Sequence, residues 1–332
     1  MSNILITGVG SYLPNNIITN NELPENLNTS DEWIKKRTGI KQRHLVSDGE
    51  LTSTMAIAAS KKALQNANIG SKEIDMIIVA TTTPDQTFPA TAVKVQSELD
   101  IDIGPAFDIQ AVCAGFIYAL NVGSSLLKTS DFSKALVIGS ESFSKILDWS
   151  DRSTSVLFGD GAGAFILEKT NEYSDWGILS SNFYSNGKFS DILYTDGGPS
   201  LNSNVGNVRM NGKEVFKHAV EKLSSCLLEA INDANLKIQD IDFLVPHQAN
   251  LRIIESLSKK LGMPIEKIIN TVDIHANTSA ASIPLALNSA IERKKIRNGD
   301  IIALNAIGGG LSWGASVIKY GKPDWRFVNF CI

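Results

Sequence analysis

Residues 74–80 form a nearly continuous apolar run, the pattern of a strand covered on both faces. Just before it, residues 52–67 place their apolar side chains on one face of a 3.6-residue repeat. They end at Asn68-Ile69-Gly70, so the stretch predicts an amphipathic helix followed by a turn. The same change of period recurs through the first half. Short apolar runs predict strands over residues 4–7, 106–109 and 135–138, and helices are predicted over 89–99 and 114–120. Residues 158–167 read as a tight glycine turn that packs into a further strand. In the second half, residues 180–211 are rich in Ser, Asn, Gly and Asp, show no period and are expected to be mostly loop. A helix opened by residues 210–216 and running to about Asp233, a strand at 241–245, a helix ending at Leu261 and strands at 268–270 and 301–306 complete the pattern. Strands alternating with helices make this an α/β protein.

The chain also repeats itself. Ala67-Asn68-Ile69 before Ile74-Asp75-Met76 is echoed by Ala234-Asn235-Leu236 before Ile241-Asp242-Phe243, and both pairs share an offset of 167 (235 − 68 and 242 − 75). Gly163-Ala164-Phe165-Ile166 is echoed by Gly314-Ala315-Ser316-Val317, and the Asp108-Ile109 lead-in to Cys113 by the Asp273-Ile274 lead-in to Asn277. Repeats so few and so long imply two similar α/β halves rather than a solenoid. The polar stretch 170–176 sets the boundary: a first half at 1–172, a second at 173–320, and a tail at 321–332.

Composition narrows the function. The chain has 332 residues, 43% hydrophobic and 20% charged, with a formal net charge of −4, so it carries no global basic signature for nucleic acid. No apolar run of about 18 residues is present and the N-terminus has no basic lead-in, so neither a membrane span nor a signal peptide is expected. Three scattered cysteines and four histidines without ligand spacing argue against a disulfide framework and a metal site. A reduced, cytoplasmic protein is expected. Gly8-Val9-Gly10 lacks the third glycine of a dinucleotide loop, since Leu13 stands there, and the glycines at 159–163 lack the lysine of a phosphate loop.

The remaining chemistry gathers after strands. Cys113 sits between an apolar lead-in and a small-residue helix, where unpaired N–H groups and the helix dipole favour a thiolate. His247, Asn277 and Gly308-Gly309-Gly310 also follow predicted strands, at the end of an α/β sheet where sites collect. A nucleophile, a neutral imidazole, an amide and a glycine run form a coherent acyl-transfer set. His275, beside Asn277, is read as a residue behind the site or bonded to the backbone rather than one of the set. Trp33 and Arg37 share a helix face, fit either for packing or for a purine and its phosphate.

These segments together resemble the β-ketoacyl-[acyl-carrier-protein] synthase III family of the thiolase superfamily. The resemblance runs from about Ile4 to Tyr320 and rests on Ser30-Asp31-Glu32-Trp33-Ile34, Cys113-Ala114-Gly115-Phe116, Phe158-Gly159-Asp160-Gly161-Ala162-Gly163, Pro246-His247-Gln248-Ala249-Asn250, Asn277-Thr278-Ser279-Ala280-Ala281-Ser282 and the Gly308 run. It implies a thiolase-like fold, two duplicated α/β halves in a five-layer αβαβα sandwich, working as a homodimer without a cofactor. It further implies that Cys113 takes an acyl group from acyl-CoA, that the N–H groups of Cys113 and Gly309 hold the oxyanion, and that His247 and Asn277 support decarboxylation of malonyl-acyl carrier protein. Trp33 and Arg152 would enclose the CoA adenine, with Arg37 near its phosphates and Gly212, Ala249 and Asn250 along the pantetheine tunnel. Gln248 and Arg252 would meet the acyl carrier protein, with Lys213 and Lys217 widening the basic patch. Phe88 would close the acyl pocket across the dimer and favour a short primer such as acetyl. A condensing enzyme of specialised metabolism with another acceptor, a silent partner subunit and a Cys-His-Asn hydrolase remain alternatives at this point.

Overall fold

The computed structural model describes residues 2–172 and 175–323. The chain opens with β1 (Asn3–Tyr12), then a small antiparallel pair, β2 (Asn16–Thr19) and β3 (Gln42–Leu45), on either side of α1 (Asp31–Thr38). Next come α2 (Thr52–Ala67), β4 (Met76–Ala80), α3 (Thr91–Glu98), β5 (Ala106–Ile109), α4 (Gly115–Thr129), β6 (Lys134–Glu141), α5 (Arg152–Ser155) and β7 (Gly161–Thr170). The second half runs β8 (Gly177–Ser185), β9 (Leu193–Thr195), α6 (Pro199–Asn202), β10 (Val208–Met210), α7 (Gly212–Asp233), β11 (Phe243–Pro246), α8 (Leu251–Leu261), α9 (Val272–His275), α10 (Ser282–Glu292), β12 (Ile301–Gly308) and β13 (Ser312–Lys319).

Two sheets result. One has the order β1-β7-β6-β4-β5, with β5, β4 and β6 parallel; the other has the order β11-β12-β13-β8, with β11 and β12 parallel. Read from β8, the second sheet repeats the first, and Ile268, bridged in parallel to Leu244, stands where β5 would be. The strand expected at 268–270 is thus reduced to one bridge, closed by the Ile269 N–H on Leu244 O at 2.8 Å. Apolar clusters follow the layers. One is central and joins α4 and α10 to both sheets, one lies between α2, α3 and the first sheet, and one between α7, α8 and the second. The fold is therefore the five-layer αβαβα arrangement.

Local chemistry explains most of the elements. Every residue of β4 is buried, which accounts for its unbroken apolar run. Ser30 caps α1 by accepting the Trp33 N–H, and Asn211 caps α7 by accepting the Glu214 N–H. β1 runs on through Gly8 and Gly10, beyond the expected 4–7. A Cβ at Gly10 would come within 2.3 Å of Ala63 N, so the glycine lets α2 lie directly on the strand.

Two expectations are corrected here. Residues 180–211 are not mostly loop: they begin inside β8 and include the β9–β10 pair. The third echo also pairs different residues. At the offset of 167, Val112 corresponds to Ser279, with φ of 48° and 50°, just as Asn68 corresponds to Asn235 at 56° in both. The single 3-10 turns Val112–Ala114 and Ser279–Ala281, and the starts of α4 and α10, match at the same spacing. Cys113 therefore corresponds to Ala280, not to Asn277, and the Asp273-Ile274 lead-in lies in a helical turn rather than a strand. Residues 173 and 174, where the expected boundary falls, lie outside the described residues, as does the tail from 324 to 332 with Cys331. Of the tail's start, Gly321 bridges to Ile6, and Asn298 exchanges hydrogen bonds with the Lys322 backbone.

Candidate active site

The site lies where the C-terminal ends of the parallel strands of both sheets meet. β5 ends at Ile109, and the chain turns sharply through Val112 before Cys113. A β-branched residue at positive φ costs on the order of 1–3 kcal/mol. Here the turn sets Cys113 at the mouth of α4. β12 presses on the same backbone: a Cβ at Gly308 would come within 2.7 Å of Cys113 N and 2.8 Å of Ala111 O. This contact brings the turn carrying Gly309 against the Cys113 backbone. Gly308→Ala is therefore expected to lower stability by about 1–3 kcal/mol through overpacking and to suppress acylation of Cys113. Denaturant unfolding and intact mass with acyl-CoA check both effects.

His247 follows β11, and its N–H donates to Asn305 O at 2.8 Å. Its Nδ1 lies 2.6 Å from Ser282 Oγ, on the first residue of α10. Burial pushes its pKa down to about 3, so the ring is neutral at ordinary pH. A neutral ring that accepts the Ser282 hydroxyl at Nδ1 carries its proton on Nε2. Asn277 is pinned by its backbone: its N–H donates to Leu157 O and its carbonyl accepts from the Gly159 N–H, each at 3.0 Å. Its Oδ1 accepts the Ser279 N–H at 2.9 Å, which leaves Nδ2 as the amide's remaining donor.

Cys113, His247 and Asn277, each no more than 5% exposed, line one cavity of about 140 Å³ together with Phe158, Leu193 and Phe216. Gly212, Ala249 and Asn250 line it too. An open groove of about 740 Å³, bordered by Lys213 and Arg252, shares Met210, Gly212, Phe216 and Asn250 with it and leads from the surface toward the sulfur.

The electrostatics around the sulfur compete. Burial pushes the Cys113 thiol up, to about 12, and the Glu141 charge adds to this. The Ser279 hydroxyl and the cysteine's own N–H pull it down. In the closed cavity burial thus opposes the thiolate that a helix N-terminus alone would favour. Glu141 and Ser279 were missed from the sequence. Glu141 ends β6 fully buried, and its Oε2 accepts from Thr83 Oγ1 at 2.7 Å and Thr82 N at 3.1 Å. Ser279 Oγ donates to its Oε1 at 3.1 Å. The only available signal was an acid closing an otherwise apolar strand.

The other expected residues are distributed as follows. Gln248 is not at the surface. It is fully buried, with Nε2 on Pro246 O and Ile269 O and Oε1 accepting the Thr271 N–H, so it holds the fold together and cannot meet a carrier protein. Arg252, Lys213 and Lys217 are exposed, and Arg252 lies 5.6 Å from the Phe216 ring centroid. The guanidinium groups of Arg37 and Arg152 lie 4.6 and 4.8 Å from the Trp33 ring centroid, and Arg152 also donates to Asn28 O at 2.6 Å. A base entering between Trp33 and Arg152 must therefore lift Arg152 away. Phe88 is 80% exposed and lies outside the cavity of Cys113. His275 is buried and does not line that cavity, and its Nδ1 has no hydrogen-bond partner among the described residues. Among the described residues no cluster of His, Cys, Asp and Glu suits a metal ion, and no helix is long and apolar enough to cross a membrane.

Comparison with known proteins gives a consistent result. The family model described as 3-oxoacyl-[acyl-carrier-protein (ACP)] synthase III matches residues 107–187, and the model of its C terminal matches 231–320. The chain is 54% identical over 319 residues to the β-ketoacyl-[acyl-carrier-protein] synthase III of Ehrlichia canis (strain Jake), covering 96% of this chain and 100% of that one. It is 55% identical over 321 residues to the protein of that name from Wolbachia pipientis wMel, with the same coverage. Among solved structures, 3-oxoacyl-[acyl-carrier-protein] synthase III from Aquifex aeolicus VF5 superimposes with a TM-score of 0.90 at 44% identity, over 96% of this chain and 100% of that one.

Proposed function

This chain belongs to the 3-oxoacyl-[acyl-carrier-protein] synthase III family of condensing acyltransferases, and we propose that it condenses a short acyl-CoA with malonyl-acyl carrier protein to start a fatty acid. The observation that carries this reading is a pair of donors left over on residues of the cavity. With Asn277 Oδ1 held by the Ser279 N–H and His247 Nδ1 held by Ser282, the free Nδ2 and Nε2 belong to residues that line the cavity of the Cys113 sulfur.

In the first half-reaction the Cys113 sulfur attacks the thioester carbon. The N–H groups of Cys113 and Gly309 take the oxyanion, the carbon–sulfur bond to CoA breaks, and an acyl-enzyme remains. In the second, malonyl-carrier protein enters along the groove. His247 Nε2 and Asn277 Nδ2 donate to its thioester oxygen, where the electron pair released with CO2 collects as an enolate. The enolate carbon attacks the acyl carbon, and the Cys113 sulfur leaves with the electron pair of the broken bond and takes up a proton. The loss of CO2 supplies the carbanion, so the reading assigns no cofactor. Intact mass after mixing with a panel of acyl-CoAs tests it: a stable adduct on Cys113, discharged only by malonyl-carrier protein, is expected. Turnover of acyl-CoA alone would instead mark a hydrolase.

The partners follow from the surface. The groove mouth carries Arg252 and Lys213, with Lys217 one turn further along α7, and these cations suit an acidic carrier protein. Arg252→Glu is expected to raise KM for malonyl-carrier protein about tenfold, or ~1.4 kcal/mol, and to flatten the rise of KM with salt. We assign a homodimer to the reading. Phe88, exposed in the single chain, would then close the acyl pocket of the second copy and limit primers to acetyl size. A thiol nucleophile suits the reducing cytoplasm.

A further inference from the structure

We propose that Glu141 is a positioning residue for the decarboxylation step: through the Ser279 hydroxyl it holds the turn whose N–H fixes the Asn277 amide. This rests on the reading of Asn277 as a donor to the enolate oxygen and names what keeps that donor in place.

The segment that carries Asn277 is strained. Ala276 stands at φ 57° and ψ −159° and Ser279 at φ 50°. Residues with a side chain seldom enter these regions, and they persist there only where the surroundings over-determine them. The backbone of Asn277 is tied to Leu157 and Gly159. The Thr278 hydroxyl is buried without a hydrogen-bond partner among the described residues, so it anchors nothing. Ser279 ties the far end: its N–H donates to Asn277 Oδ1 at 2.9 Å, and its hydroxyl donates to Glu141 Oε1 at 3.1 Å. β6 meets the same turn a second time, since a Cβ at Gly139 would come within 2.4 Å of Ala280 O. The line of contacts runs from the end of β6 in the first half, through the second half's turn, to the amide.

The Ser279 N–H decides which end of the amide it meets. An N–H donates only to Oδ1. Turned over, the amide would set Nδ2 against that N–H and leave Oδ1, an acceptor, for the enolate oxygen. A shift of the turn that weakens this bond costs the step its donor. Glu141 suits a fixed anchor. Its Oε2 accepts the Thr82 N–H at 3.1 Å and the Thr83 hydroxyl at 2.7 Å, and Thr83 Oγ1 in turn accepts the Ser142 N–H at 2.8 Å. These bonds lock the carboxylate to the loop after β4 and to the exit of β6, and they leave Oε1 for Ser279. An acid buried among neutral hydroxyls and amides is costly, and so is a serine at a φ that glycine takes without strain. Both costs fall on the one hydrogen bond that reaches the turn of Asn277. Val112, at φ 48° in the equivalent turn of the first half, has no hydroxyl, so the tether belongs to the copy that carries Asn277.

The test uses the full chain and reads the two half-reactions separately: CO2 release from malonyl-carrier protein, and adduct formation with acetyl-CoA by rapid quench and intact mass. Ser279→Gly removes the hydroxyl, keeps the N–H and takes the same φ without strain, so the fold is retained. Glu141→Asp keeps the charge and draws it back by one methylene. Each is expected to lower kcat for CO2 release about 10–100-fold, the scale of a misplaced group. KM for malonyl-carrier protein should stay within about twofold and acylation within about threefold of wild type, because only the transition state loses a contact. Combined with Asn277→Ala, neither should add more than about threefold, because both act through the amide. CO2 release within about threefold of wild type in either variant overturns the proposal. So does full additivity with Asn277→Ala, and so does a loss of acylation as large as the loss of decarboxylation. If Glu141→Asp does not fold, Glu141→Gln, which sets a donor against Ser279 or Thr82, stands in with the same expectation. An Asn277→Ala protein that releases CO2 as fast as wild type overturns the parent reading, whereas a slow Asn277→Ala beside a normal Ser279→Gly overturns only the positioning.

Discussion

Cys113→Ala is expected to form no acyl adduct with any acyl-CoA and to lose condensation by a factor on the order of 10⁶, the scale of deleting a covalent nucleophile. The loss should be this large because the reaction is split at the sulfur. Without it the acyl group has nowhere to wait while CoA leaves and malonyl-carrier protein enters the same groove. Nothing nearby can substitute: the other residues of that cavity include an imidazole with depressed basicity, an amide and apolar side chains. Cys226 is buried in the α7 cluster, away from that cavity, so peptide mapping should find the wild-type adduct on Cys113 and not on Cys226. The alanine protein should still release CO2 from malonyl-carrier protein, since His247 and Asn277 keep their supports on Ser282 and Ser279. Adduct on another residue, or condensation that survives, would remove Cys113 from the mechanism.

How much of this was legible follows from where each signal resides. α2 and β5 were readable to their last residues because their patterns are local and their ends carry turn residues. β8 was not. It is the edge of its sheet, exposes part of one face, and spends Ser180, Ser181, Asn182 and Ser185 on positions that read as loop. Cys113, His247 and Asn277 could be singled out because each follows a strand or tight turn in a segment whose residue types fit one chemistry. Gln248 was misread because it adjoins His247 in sequence. In extended backbone neighbours face opposite ways, so one meets the cavity while the other is tied into the interior. Ser279 left no local trace and Glu141 only an acid at the end of an apolar strand, since their hydrogen bond joins residues 138 positions apart. The duplication was readable at Asn68 and Asn235, but only the positive φ of Val112 and Ser279 shows that the nucleophile's turn became the turn that orients Asn277.

His247→Ala is expected to slow CO2 release about 10²–10³-fold, the cost of one lost oxyanion donor, while acylation of Cys113 stays within about tenfold. The asymmetry is the content of the prediction. The acyl-CoA oxyanion is assigned to backbone N–H groups, which the substitution leaves in place, whereas the enolate oxygen is assigned to Nε2 and to Asn277 Nδ2. Asn277→Ala should match it in direction and size. The imidazole also fixes the pH behaviour. With its pKa pushed down to about 3 it remains neutral, so wild-type decarboxylation should not lose this donor as pH falls from 8 to 5. Stability should show the complementary sign. In the unfolded chain the ring protonates near its ordinary value of ~6.5 but in the folded chain only near 3, so the unfolded state binds more protons between the two. That contribution is full above the unfolded value and is lost as pH falls toward 3. The alanine variant should therefore lose less stability over that range than wild type, as measured by denaturant unfolding at each pH. A variant in which acylation falls as far as decarboxylation would instead place His247 on the Cys113 thiol and make it serve both half-reactions.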